Sequence, residues 1–309
     1  MVATTLPQDP WSAMGRWVFD PVTVTMLLAV GSAYLAGLVR MGRMGRSFPA
    51  GRWTAFASGW LVLVFALVSP IDAYADVSFS VHMVQHLLLS LVAPGLLAIG
   101  APITLALRTL PVRAARALAA VMRSRAVGVL ANPIVGWGVF VGVPIVVHAS
   151  RLFDRALTSS GWHALEHGLW LATALVYWWP IVGVDPSPHR MGHGARLLSL
   201  ALAMPFMSFL ALAIYTADVP LYPAYASLPA PWGPGALADQ RNAAAMMWVA
   251  GNLALVIAML LVAASWKRQD DERQRRLEMR EDARMEIGSV GYERHESNGV
   301  DDERWREWT

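Results

Sequence analysis

Seven long apolar stretches govern what this chain can fold into: residues 21–39, 53–69, 77–97, 126–147, 162–181, 195–216 and 243–266. Each approaches the roughly 17 to 25 residues that a helix needs to cross a bilayer. Helices are the natural choice, because lipid offers backbone amides no partner and the runs are too continuous for the alternating strands of a barrel. The charges agree. Only 15% of the 309 residues are charged, and the last 43 hold 10 of the 25 basic and 13 of the 22 acidic side chains. Three regions are therefore expected: an extracytoplasmic segment 1–20, a membrane domain 21–266, and a charged cytoplasmic tail 267–309, read as a solvated helix or extension. The first segment lacks the basic opening of a signal peptide, so the first helix is read as retained. Pro94, Pro133, Pro144 and Pro205 fall inside the windows and are expected to kink helices rather than end them.

Orientation follows from the basic residues in the connections. The loops after the first, third and fifth windows, with the tail, hold 21 of the 25; Arg16, Arg151, Arg155 and Arg241 are left for the other side. The expected architecture is an all-α bundle of seven transmembrane helices, N-terminus outside and C-terminus in the cytoplasm. Topology accounts for the basic loops, so nothing points to nucleic acid.

Ionisable residues in or beside a membrane are costly and tend to be functional. Five of the eight histidines fall near helix ends on the expected outer side: His82 and His86, His148, and His163 and His167. The two pairs have i,i+4 spacing, which stacks both imidazoles on one helix face. One such pair is the ordinary stuff of an interface; two pairs at a common depth, with His148 between them, are candidate metal ligands. Glu166, Asp72 and Asp76 lie in the same layer, and Asp239 and Gln240 stand before the last window. A carboxylate, Asp239 by preference, is expected to orient a ligating imidazole, although a helix cap explains it equally well. Met83, Met246 and Met247 lie at similar depth, with Met204 and Met207 deeper. Without cysteine there is no thiolate ligand, disulfide or thiol nucleophile. Imidazole with nearby thioether leans toward copper, as Cu(I), and b-type haem is the rival.

The segment HMVQHLLLSLVAPGLLAIGAP, from His82 to Pro102, resembles the signature of the CtaG-like membrane proteins required for assembling bacterial cytochrome c oxidase of the caa type. NPIVGWGVFVGVPIVVHASRLFDRAL, HALEH with YWWPIVGVDPSP, VPLYPAYA and DQRNAAAMMW extend the resemblance from about Trp53 to Trp266. It implies a multi-pass protein of the bacterial plasma membrane that assists oxidase maturation, with an oxidase subunit and other copper chaperones as partners, and no catalysis of its own. The residues carried over are His82, Gln85, His86, His148, His163, Glu166, His167, Tyr222, Pro223, Tyr225, Asp239, Gln240 and Trp248. Asn242, Ala243 and Ala244 replace the family's small glycine pair, and Ala149 and Ser150 stand where a proline often follows His148. The competing classes are a b-haem membrane oxidoreductase and a copper permease. A permease needs sites continuing inward from the histidines, and Met204 and Met207 offer one step.

Overall fold

The computed structural model describes residues 15–227 and 234–306, with side chains to residue 281. All regular elements among the described residues are helical: α1 (Pro21–Arg43), α2 (Ala50–Val68), α3 (Pro70–Ala75), α4 (Phe79–Leu87), a π-helical turn (Leu88–Val92), α5 (Ala93–Ile99), α6 (Pro102–Thr109), α7 (Val112–Met122), α8 (Arg125–Leu130), α9 (Pro133–His148), α10 (Leu152–Thr158), α11 (Ser160–Val182), α12 (His193–Tyr215), α13 (Pro223–Ala226) and α14 (Ala236–Arg306). The chain divides into two units, Met1–Met259 and Leu260–Thr309. The second contains the C-terminal part of α14, and the charged tail is helical as far as Arg306.

Five helical stretches are long and apolar enough to cross a membrane: Pro21–Arg43, Ala50–Val68, Phe79–Thr109, His193–Tyr215 and Ala236–Glu281. A sixth arises if Pro133–His148 and Leu152–Thr158, bent by 71°, form one broken span. α11 is long enough at 23 residues but is not among these. His163, Glu166, His167 and its tryptophans dilute its apolar character. The outward surface is apolar. Val22, Met26, Leu28 and Leu35 of α1, Leu61 and Phe65 of α2, and Phe209 of α12 are exposed. In water such a belt would drive aggregation, whereas lipid solvates it without cost.

The fourth window does not run unbroken, as the sequence suggested. α8 ends at Leu130, and Pro133 opens α9 instead of kinking it. Proline suits that first position, where its missing N–H would have had no partner. The Asn132 side chain caps the turn by accepting from the Ile134 N–H at 2.9 Å.

Pro94 does disturb its helix. It has no N–H to give the Ser90 carbonyl one turn back. The indole N–H of Trp178, on α11, donates to that oxygen at 2.8 Å instead. The π turn lies directly before, a widening often found beside functional sites. α2 packs against α5 where Gly59 allows backbone contact: a Cβ there would meet the Ala93 carbonyl oxygen at 3.0 Å and Leu96 Cβ at 2.9 Å.

Candidate metal centre

His82 and His86 project from one face of α4, as their spacing requires. Both are buried, and their Nε2 atoms face each other at 2.8 Å. Glu166 comes from α11, its two carboxylate oxygens 3.7 Å from His82 Nε2 and 3.7 Å from His86 Nε2. One donor atom from each of these three side chains lies within 4.8 Å of the others, a spacing that could hold one metal ion. A metal with bonds of about 2.0 Å places two ligand nitrogens about 2.8 Å apart at a right angle and about 3.3 Å apart in a tetrahedron. Small ring shifts thus suffice. The donors fit the need in a second way: neither Glu166 oxygen has a hydrogen-bond partner although the residue is buried. A buried carboxylate in that condition is expensive unless a cation or proton shares it.

The other three histidines surround this group without joining it. His163 stacks over His82 at 5.6 Å between ring centroids, and its Nδ1 lies 3.3 Å from the exposed Asp76 carboxylate. His167 stands with its Nε2 3.1 Å from Gln85 Oε1. Gln85 gives its amide protons to the Ala66 carbonyl at 2.9 Å and to Asp72 at 2.7 Å, which turns its oxygen toward His167. His167 therefore donates from Nε2 and is oriented rather than free at that atom. His148 gives its Nδ1 proton to the Pro144 carbonyl at 2.8 Å. Of the five candidate histidines, His82 and His86 lie within metal-binding distance of each other, and Glu166, which the sequence suggested only as support, joins them.

Burial pushes the Asp72 carboxyl, outside the apolar spans on α3, up to about 6, against the Gln85 hydrogen bond that lowers it.

Asp239 does not orient an imidazole. Its carboxylate accepts from the Phe79 N–H at 2.7 Å and the Ser80 N–H at 3.3 Å, and from the Ser80 hydroxyl. It caps the helix that carries His82 and His86, satisfying amides that a helix start leaves unpaired. Gln240, buried, donates to the Ile214 carbonyl at 3.1 Å and accepts from the Leu221 N–H at 2.7 Å, bracing the end of α12. Tyr225 donates to the Ala75 carbonyl at 2.6 Å, and Tyr222 packs edge-on against Phe79 at 4.9 Å. Met83 and Met247 are buried, whereas Met246 and Trp248 are exposed.

Two aromatic walls were not anticipated. Trp170 stacks on His86 at 4.4 Å, and Phe153 stacks on His148 at 4.9 Å. Trp170 follows Glu166 by four residues and His167 by three, a spacing that does put it on their face. Phe153 comes from α10, across the sharp bend, and no local pattern reveals it.

A helical protein with several apolar spans and a buried histidine–glutamate cluster is the class that fold and site define together. Residues 32–269 match the cytochrome c oxidase caa3 assembly factor family, and the chain belongs to that family. It is also similar to uncharacterized proteins of two mycobacteria. It is 33% identical over 274 residues to one of Mycobacterium leprae, covering 86% of this chain and 41% of that protein. It is 34% identical over 289 residues to one of Mycobacterium bovis, covering 90% and 43%. The chain thus spans about two fifths of the length of these curated relatives. No solved structure matches it.

Proposed function

We propose that the protein holds copper at His82, His86 and Glu166 and passes it to a subunit of a bacterial cytochrome c oxidase during assembly in the plasma membrane. Copper is cargo in this reading, not a resident cofactor. The observation that carries it is the facing pair of imidazole nitrogens with a buried carboxylate whose oxygens lack hydrogen bonds. Two imidazoles and a carboxylate leave part of a copper ion's coordination open, which suits transfer better than permanent retention. His163, beside the exposed Asp76, is placed to serve as the entry ligand. Membership of an oxidase assembly family supports the recipient.

The membrane arrangement belongs to the same proposal. α11 and the bent pair α9–α10 join the five apolar helical stretches as spans, giving seven, and the arginine distribution puts the histidine layer outside and the tail inside. The site then opens toward the compartment from which extracytoplasmic copper arrives.

Replacing His82 and His163 together by Ala is expected to abolish copper retention at the histidine–glutamate group and oxidase activity while the protein remains in the membrane. Undiminished oxidase activity in that double variant overturns the proposal. A visible spectrum of the purified protein separates the haem alternative, since bound haem gives an intense Soret band and a copper carrier does not.

A further inference from the structure

Below the histidine layer a cavity of about 40 Å³ lies among α4, the π turn, α9, α11, α12 and α14. That is room for roughly two or three water-sized bodies. His86 and His148 line it, and so do Met83, Met207 and Met247, contributed by three different helices. The rest of the lining is mainly apolar.

We propose that this cavity is a second metal site, for a soft monovalent ion of the Cu(I) class, with His148 Nε2 and the thioethers of Met83, Met207 and Met247 as donors. It deepens the copper-holding reading and rests on it only for the identity of the cargo. The starting point is His148. Its Nδ1 faces the Pro144 carbonyl at 2.8 Å, and a carbonyl brings no proton, so the neutral ring carries its hydrogen on Nδ1. Nε2 is then a bare lone pair, and it is buried with no hydrogen-bond partner. A lone pair stripped of water and given nothing in return asks for a donor or a cation.

The walls decide which. Hard cations need several oxygen ligands, whereas the only side-chain oxygens in this lining are the Ser90 and Thr173 hydroxyls. No carboxylate lines the cavity. Imidazole with thioether selects Cu(I). Methionine in a core is ordinarily filler. Here, however, Met204 and Met246, neighbours of Met207 and Met247 in sequence, are absent from the wall that gathers the other three beside an unpaired imidazole. His86 belongs to both sites, its ring 4.2 Å from His82 and 6.3 Å from His148. It is placed to relay an ion from the imidazole–carboxylate group to the softer one.

The test titrates the purified full-length protein with Ag(I), a redox-inert stand-in for Cu(I), and separately with Zn(II), which prefers the histidine–glutamate group. We expect two Ag(I) and one Zn(II) per chain in the wild type. The variant Met83→Leu/Met207→Leu/Met247→Leu keeps side-chain volume; it is expected to bind one Ag(I) and still one Zn(II), and to lose the sulfur scattering seen by X-ray absorption of the Cu(I)-loaded wild type. Met207→Leu alone is expected to weaken the second Ag(I) at least ten-fold without moving Zn(II), which keeps the test decisive if the triple variant does not fold. An unchanged second Ag(I) affinity in Met207→Leu, or no sulfur scattering in the wild type, overturns the proposal. If Zn(II) fails to bind while a methionine-dependent Ag(I) site remains, the histidine–glutamate reading falls and this one stands.

Discussion

Glu166 and Asp185 are equally buried but differently served. Asp185 accepts from the Ile103 and Thr104 N–H groups at 3.0 and 2.7 Å and from the Thr104 hydroxyl at 2.6 Å, so its charge is compensated where it lies. Glu166 faces only imidazoles. That contrast separates a carboxylate that holds structure from one whose oxygens have no hydrogen-bond donor. Asp72 is a third case. Burial raises its folded pKa to about 6 from the ordinary value of 3.8. For an acid raised in this way, the favourable protonated state is fully populated in both folded and unfolded chains below 3.8. As pH climbs, the unfolded chain ionises first, and stability is lost until the folded group also ionises near 6. Asp72→Asn removes the ionisation while leaving an oxygen to accept from Gln85. In detergent its melting temperature relative to wild type is expected to rise between about pH 4 and about pH 7, corresponding to about 3 kcal/mol at about 1.4 kcal/mol per pKa unit. A pH-independent difference between the two proteins contradicts this account.

Among elements, the segment from Phe79 to Ile99 carries most of the local logic. Its histidine spacing, its proline and its polar start were all legible, because a helix repeats every 3.6 residues and proline always withholds an N–H. What answered them was not legible. The Ser90 carbonyl freed by Pro94 is taken by Trp178, 88 residues on, and the first amides of α4 by Asp239, 160 residues from Phe79. Pairings across such separations depend on how helices pack, and a single chain's spacing carries no trace of that. Glu166 is a similar case: its neighbours in sequence made it a helper of histidines, and only the approach of α11 to α4 brings its carboxylate within 3.7 Å of both imidazoles. Trp178→Phe is expected to cost about 1–2 kcal/mol by leaving the Ser90 carbonyl unpaired. In a Pro94→Ala background the cost should shrink, because the alanine brings an N–H to the same oxygen. Equal losses of thermal stability in both backgrounds would refute the substitution of one donor for the other.

At the scale of the whole molecule, hydropathy picks out the most apolar helices and passes over one that brings polar side chains to the histidine cluster. α11 shows the reason: the polar residues that make it useful, His163, Glu166 and His167, are the ones that lower its apolar average. The absence of cysteine makes the seven-span arrangement directly testable. In intact cells Asp218→Cys, between α12 and α13, should react with a membrane-impermeant maleimide. Gly192→Cys, before α12, should react only after permeabilisation. Labelling of both from the same side would break the proposed alternation.

The Asp239 cap has a consequence in time. The helix bearing His82 and His86 is made before the carboxylate that secures its first turn, which lies 160 residues further along the chain. At roughly 5–20 residues per second, the ribosome takes on the order of ten seconds to travel between them. During that interval the first turn of α4 waits for its cap, and the helix that carries His82 and His86 is fully secured only once α14 has begun. On the copper-holding proposal, a nascent chain would thus be kept from trapping metal tightly before it has become a protein able to give it away.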